Sequence, residues 1–178
     1  MNPFQFLKQL GQLPNTQGDG FRVIRSYTPT ALNVSGATRA VTNSVDRVIF
    51  DADNESVILN FTVPEDYDET ANELKVSLYC EYISGTSLDV DLDVVTRARA
   101  GAALADITSS LADPAAYTLD AAADNGWKEF TLSGVQFLPG DVLAIEIDAQ
   151  ETGSGIVHVL GAQVQYKSTL VFNDPANR

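Results

Sequence analysis

At 178 residues with a hydrophobic share of 44%, the chain suits one domain, or one domain with arms. Its 24 acidic and 11 basic residues give a net charge of −13, which argues against nucleic acid and anionic membranes as partners because both are polyanions. No segment approaches about 18 consecutive apolar residues, so we expect no membrane-spanning segment.

The first 20 residues predict an arm that contains a short helix. Asn2 can cap this helix, Pro3 fits its first position and Gly11 is placed to end it. A helix of about two turns does not persist alone in water, so it needs a surface, either its own domain or a neighbouring subunit. The apolar side chains predicted to bind a partner are Phe4, Phe6, Leu7, Leu10 and Leu13. The segment lacks the basic start and apolar run of a signal peptide, so we expect no export by the general secretory route.

Residues 21–178 predict a single domain made of β-strands. Strands are expected at 21–27 and 45–50, separated by an extended connector at 28–43 that is rich in Ser, Thr and Ala. From Val57 onward, apolar and polar residues alternate strictly over several segments. Such alternation is typical of half-buried antiparallel strands and not of helices.

One of these alternating strands is acidic. Asp89, Asp91 and Asp93 alternate with apolar residues, which predicts that the three carboxylates lie on the solvent face of the strand. A calcium loop is the alternative, because hard cations need several oxygen ligands. The spacing fails as an EF-hand, since Val94 replaces the required Gly and Ala100 stands where the bidentate Glu belongs.

The second half of the chain alternates between irregular and regular patterns. Residues 97–126 predict a long alanine-rich insertion with one short helix at 102–111. Strand resumes at 127–132. The last two predicted strands, 142–148 and 156–172, are joined by a glycine-containing connector, which indicates a hairpin.

Eight or nine strands at regular spacing, without a βαβ unit or an internal repeat, predict an all-β fold. The predicted architecture is an antiparallel, jelly-roll-like β-sandwich with an extended N-terminal arm. An immunoglobulin-type sandwich is the second interpretation, although its Cys…Trp…Cys pattern is missing.

No constellation of residues predicts catalysis. His158, the single histidine, lies within a strand and in no motif, and the sequence has no Gly-x-Ser-x-Gly elbow, phosphate-binding loop or Cys-x-x-Cys pair. Cys80 falls on the apolar phase of its strand, where a buried structural thiol is expected. Asp66, Asp68 and Glu69 form an acidic loop, for which a calcium site at the edge of the sandwich is the alternative, although acidic loops are common in a chain of this charge. We predict no enzyme activity, no cofactor and no bound metal.

Aromatic residues offer one binding function. Five of them, placed on predicted strands or in the insertion, could include a sugar-stacking platform as in β-sandwich lectins: Tyr79, Tyr82, Tyr117, Trp127 and Tyr166. Aromatic residues on strands more often belong to the core or to cross-strand pairs. A carbohydrate-binding module is therefore kept as the alternative function.

Four features together resemble a known group of proteins. They are the apolar arm from Phe4 to Leu13, the acidic single sandwich, the Ala-rich insertion and the turn Leu138-Pro139-Gly140-Asp141 before the last two strands. This combination resembles the jelly-roll decoration or cement proteins of tailed bacteriophage capsids.

The resemblance implies a structural protein of the virion. Such proteins are trimers, or in some cases dimers, that sit on the outer surface of the capsid, bind the major capsid protein through arms and stiffen the shell. The predicted function is therefore that of a homotrimeric cement protein, made in the host cytoplasm, with no nucleic-acid or membrane partner. A carbohydrate-binding module, either lectin-like or for host recognition, is the second class, and a hydrolase with an unrecognised site is the third.

Overall fold

A computed structural model describes residues 22–42, 44–71, 73–112, 115–150 and 154–169. The predicted helical arm, with Phe4, Phe6, Leu7, Leu10 and Leu13, lies outside the described residues. In the described part, the structure consists of β-strands, turns and three short 3-10 helices. None of the helices there is long and apolar enough to cross a membrane.

The chain forms twelve strands in the described ranges. In order they are β1 (Arg22–Tyr27), β2 (Asn33–Ser35), β3 (Thr38–Thr42), β4 (Val45–Phe50), β5 (Glu55–Thr62), β6 (Glu73–Ser84), β7 (Leu88–Ala98), β8 (Ala105–Asp106), β9 (Tyr117–Leu119), β10 (Gly126–Ser133), β11 (Val142–Gln150) and β12 (Ile156–Lys167). The 3-10 helices are Pro29–Ala31, Thr108–Ser110 and Ala122–Asp124.

The strands form two antiparallel sheets packed face to face. Sheet I has the order β10-β6-β12-β4-β3, with β1 also paired to β12. Sheet II has the order β2-β5-β11-β7-β8, with β9 also paired to β7. From β5 onward the long strands alternate between the two sheets: β5, β7 and β11 lie in sheet II, and β6, β10 and β12 lie in sheet I. The prediction of an all-β, jelly-roll-like sandwich is confirmed.

The core fills the space between the sheets because each long strand has one apolar face. In β6, for example, Leu74, Val76, Leu78 and Cys80 are fully buried, while the intervening residues point away from the core. Strands β11 and β5 contribute the opposite wall in the same way. Burial of each such side chain contributes about 1.5–3 kcal/mol before ordering costs are subtracted.

The predicted hairpin between the last two strands is wrong. β11 pairs with β5 and β7 in sheet II, whereas β12 pairs with β6, β4 and β1 in sheet I. The predicted inner face of β11 is correct, and in β12 Ala162, Val164 and Tyr166 are buried as the alternation predicts, whereas Leu160 lies at a bulge and is only partly buried. The two faces meet from opposite sides of the core. Alternation identifies the buried face of a strand and does not identify its neighbours, so both arrangements satisfy the same pattern.

Two segments predicted to be irregular or helical contain strands. The connector at 28–43 includes a 3-10 helix and the short strands β2 and β3. Where a helix was predicted at 102–111, the chain forms β8 and a 3-10 turn. There, Ile107 N donates to Val95 O at 2.9 Å and Val95 N donates to Thr108 Oγ1 at 2.8 Å. These long-range bonds to β7 outweigh the high intrinsic helix propensity of the alanines in this segment.

A bulge near Leu160 divides β12 into two parts, which pair with different strands on the side away from β6. Residues 157–159 pair with β4, and residues 162–167 pair with β1. The register with β6 shifts between Val159 and Gly161. A Cβ atom at Gly161 would lie 3.2 Å from Tyr27 O, so the lack of a side chain allows β1 to approach at this point.

Candidate functional site

The outer face of sheet I combines exposed aromatic and polar side chains on a rigid scaffold. In-register pairing of β10, β6, β12 and β1 places outward-facing residues in rows across the strands. The rows are Trp127, Tyr79 and Gly161; Glu129, Ser77, Gln163 and Ser26; and Thr131, Lys75, Gln165 and Ile24. Beyond the last registered pair of β6 with β12, the pairs Ser133–Glu73 and Lys167–Arg22 continue the face.

The first row carries an aromatic pair. The rings of Trp127 and Tyr79 have centroids 5.4 Å apart and planes at 87°, an edge-to-face contact. Trp127 remains 47% exposed although it is the largest side chain type. The third member of the row, Gly161, has no side chain to cover Tyr79. The pair therefore offers an open, preorganised apolar surface.

Polar groups continue the surface away from the aromatic pair. In the second and third rows, Lys75 Nζ lies 2.6 Å from Glu129 Oε1, and Gln163 Nε2 donates to Ser26 Oγ at 3.5 Å. Carboxylate, amide and hydroxyl groups together provide both donors and acceptors for a polyhydroxylated ligand. We call the set Tyr79, Trp127, Ser77, Glu129 and Gln163 the aromatic platform.

The last row and the two pairs beyond it surround an open cleft of about 220 Å³. The residues that line this cleft, hereafter the basic cleft, are Arg22, Ala71, Glu73, Lys75, Gln165, Tyr166 and Lys167. Three of them are basic and one is acidic, in a chain with a net charge of −13. The cleft therefore departs in sign from most of the molecule.

His158 lies on the same face, beyond the aromatic pair. Its Nδ1 is 2.9 Å from Arg47 Nη1 and 3.8 Å from Glu81 Oε2. Because Arg47 can only donate, Nδ1 accepts and the ring proton is on Nε2. Burial and the Arg47 charge lower the pKa of His158. These contacts include no Ser or Cys nucleophile, and the absence of a catalytic role stays a prediction.

The outer face of sheet II is acidic. Asp91 of β7 lies directly opposite Asp148 of β11, and Asp93 occupies a bulge beside them. Burial and the charges of Asp93 and Asp91 raise the pKa of Asp148 to about 6. Among the described residues, no group of three or more His, Cys, Asp or Glu side chains has the arrangement of a metal site.

The acidic loop serves the fold through hydrogen bonds. Asp66 accepts from Ser168 Oγ at 2.6 Å and from Tyr166 Oη at 3.2 Å, which ties the loop to the end of β12. Asp68 accepts from Thr70 Oγ1 at 2.5 Å and lies 3.6 Å from Lys167 Nζ.

The structure separates the five aromatic residues singled out in the sequence. Tyr166 is buried, Tyr117 packs edge-to-face on Phe130 with centroids 5.3 Å apart, and the Tyr82 hydroxyl donates to Gly85 O. Tyr79 and Trp127 alone among the five form the exposed pair. Alternation within a single strand cannot reveal this pair, because the contact depends on the register of β10 against β6.

The fold is similar to that of solved carbohydrate-binding domains. The CBM36-1 domain of a multidomain xylanase from the hindgut metagenome of Trinervitermes trinervoides has 11% identity and a TM-score of 0.50, over 80% of this chain and 96% of that one. The CBM22-1 xylan-binding domain from Paenibacillus barcinonensis Xyn10C has 13% identity and a TM-score of 0.52, over 86% of this chain and 99% of that one. No family model and no curated protein matches the sequence.

The prediction of a capsid decoration protein is wrong in the light of this comparison. The similar structures are carbohydrate-binding domains and not capsid decoration proteins. The error arose because an acidic surface and an apolar arm occur on β-sandwiches of unrelated function. Five further expectations stay predictions. They are the resemblance to decoration proteins, the homotrimer, the major capsid protein as partner, the position on a virion and the lack of enzyme activity.

Proposed function

We propose that the protein is a non-catalytic carbohydrate-binding β-sandwich that holds its ligand on the aromatic platform. The observation that carries the proposal is the exposed Trp127, fixed edge-to-face by Tyr79 and followed along the strands by polar side chains. The similarity of the fold to carbohydrate-binding domains supports it.

The platform matches the two chemical features of a sugar. One face of a pyranose ring presents C–H groups, which pack against an aromatic face, and its rim presents hydroxyl groups. The hydroxyl groups can donate to Glu129 and exchange hydrogen bonds with Ser77 and Gln163. Each such hydrogen bond adds about 0.5–1.5 kcal/mol net, so several are needed for useful affinity.

The first prediction tests Trp127. The wild-type protein is screened on a glycan array, and the best oligosaccharide is then titrated calorimetrically into wild type and Trp127→Ala. We expect the substitution to weaken binding at least about tenfold, because a tenfold change corresponds to about 1.4 kcal/mol and one aromatic contact supplies this amount.

The matched control is Leu104→Ala, because Leu104 is 71% exposed and lies outside the platform. Its affinity should equal that of wild type, and circular dichroism should show both variants folded. Binding by Trp127→Ala at wild-type affinity, or an array without any bound glycan, would overturn the proposed function.

A further inference from the structure

The basic cleft lies beyond the end of the aromatic platform that is far from Trp127, and charged side chains line it in place of aromatic ones. Trp127 and Ser133 are six residues apart on β10, so about 20 Å separates the aromatic row from the pairs Ser133–Glu73 and Lys167–Arg22. The row of Lys75 lies between them, at about 13 Å. An extended oligosaccharide, and not a single sugar ring, spans these distances.

The cations of the cleft are not equivalent. Lys75 is held by Glu129 at 2.6 Å, and Lys167 lies 3.6 Å from Asp68. Arg22 is exposed and, within the residues that the structure describes, forms no hydrogen bond or ion pair. Its guanidinium is therefore the cation of the cleft with donors available to a ligand.

A guanidinium selects its ligand by geometry. Its planar fork of N–H donors matches a carboxylate through two parallel hydrogen bonds. Gln165 in the same cleft offers an amide for neighbouring hydroxyl groups. A neutral sugar would leave the fork without an anion, whereas a sugar acid would complete it.

We propose that the basic cleft binds the carboxylate of a uronic acid residue in an oligosaccharide anchored on Trp127. The protein thus recognises acidic polysaccharides, with stacking at one end of the face and charge recognition by Arg22 at the other. This inference rests on the proposed function, since the same bound chain occupies both places.

The test uses two oligosaccharides of equal length that differ in one group, a glucose hydroxymethyl or a glucuronic acid carboxylate. Both are titrated into wild type and Arg22→Gln in 20 mM buffer and again with added salt. We expect wild type to bind the acidic form about fivefold tighter at low salt, and Arg22→Gln to lose this preference while keeping its affinity for the neutral form.

The control variant is Arg39→Gln, which removes one positive charge from the same sheet. Arg39 lies far from the basic cleft. It is opposite Val48 of β4, and Val48 is opposite Val159 of β12, which is eight residues and about 27 Å along β12 from Lys167. Arg39→Gln should keep the preference. Equal binding of both forms by wild type, or a preference that survives in Arg22→Gln, would overturn the carboxylate site. If Trp127→Ala loses binding of both oligosaccharides while Arg22→Gln behaves like wild type, the carboxylate site is refuted and the proposed function still stands. The two ideas therefore fail separately.

Discussion

Asp148 is the residue at which burial and like charge act most strongly against ionisation. It is 7% exposed, it faces Asp91 across the β11–β7 pair, and its Oδ1 has no hydrogen-bond partner among the described residues. Burial, followed by the charges of Asp93 and Asp91, raises its pKa from 3.8 to about 6. The folded chain therefore holds a proton that the unfolded chain releases.

The sign of the pH effect follows from this shift. Below pH 3.8 the carboxyl group is protonated in both states and favours neither. As the pH rises from 3.8 to about 6, the unfolded chain ionises first and stability falls. Above pH 6 the penalty is constant.

We expect Asp148→Asn to raise the free energy of unfolding by about 1–2 kcal/mol at pH 8 and to change it little at pH 3.5. One pKa unit is worth about 1.4 kcal/mol, and solvent screening on the outer face reduces the full value. Urea unfolding at the two pH values measures the change. Glu65→Gln, which removes an exposed charge from a loop, is the control and should have a small effect at both pH values. A gain of equal size at pH 3.5 would contradict this explanation.

At the scale of elements, one ion pair joins the end of β7 to the start of β11. Arg99 directly follows β7, and its Nε and Nη2 donate to the two oxygens of Asp141 at 2.6 Å each. Asp141 directly precedes β11, is 1% exposed, and also accepts from Leu138 N at 2.9 Å. The pair thus fixes the turn that opens the strand.

Two opposing effects set the pKa of Asp141, its burial and the hydrogen bonds that it accepts. Burial by itself raises the pKa, but the hydrogen bonds from Arg99 and Leu138 outweigh burial and hold the pKa below its usual value of 3.8. A carboxylate with a depressed pKa stabilises the fold above the unfolded pKa, and this contribution is lost as the pH falls through the folded value.

We expect Asp141→Ala to lower the free energy of unfolding at pH 7 by about 2–4 kcal/mol, because it removes the buried acceptor of two hydrogen bonds from Arg99 and one from Leu138 N. Asp141→Asn keeps one acceptor oxygen and should cost less. The difference between either variant and wild type should shrink as the pH falls below 3.8, because the unfolded carboxylate takes up its proton first, and the contribution of the charge is lost as the pH falls through the lower folded pKa. Denaturant titrations at pH 7 and pH 3 test both points, and a cost that is the same at the two pH values would refute the role of the charge.

At the scale of the whole molecule, Cys80 reports whether the two sheets stay together. It lies in β6, between β10 and β12, and its side chain is fully buried in the core. Burial raises the pKa of the thiol to about 12, so little reactive thiolate exists in the folded protein. The chain has one cysteine, so a thiol reagent reads this position alone.

We expect a disulfide reagent at pH 8 to label the native protein at least about 1,000-fold more slowly than the protein in concentrated urea, since access requires global opening. Absorbance of the released thiol measures both rates. Cys80→Ser supplies the blank. Labelling of the native protein within the mixing time would show that the sheets separate locally.

The sequence by itself determined the class of fold and much of its core. Alternation located β5, β6, β7 and β11, placed Cys80 in the core and assigned the inner faces of β5, β6 and β11 correctly. In β7 it failed after the bulge at Asp93, where Val95 is buried and Val94 is not. These features follow from the two-residue period of a strand, which is local information. The helix predicted at 102–111 is wrong because this segment instead forms non-local hydrogen bonds to β7, which local sequence patterns do not reveal.

Only the tertiary structure decided which strands meet, and the candidate site depends on those meetings. Trp127 contacts Tyr79, and Arg22 faces Lys167, because β10 pairs with β6 and β1 with β12 in one particular register. Residues 48 positions apart, as Tyr79 and Trp127 are, carry no signal of contact in a single sequence. The same pattern of apolar and polar residues is compatible with several pairings, and only packing of the two sheets selects one.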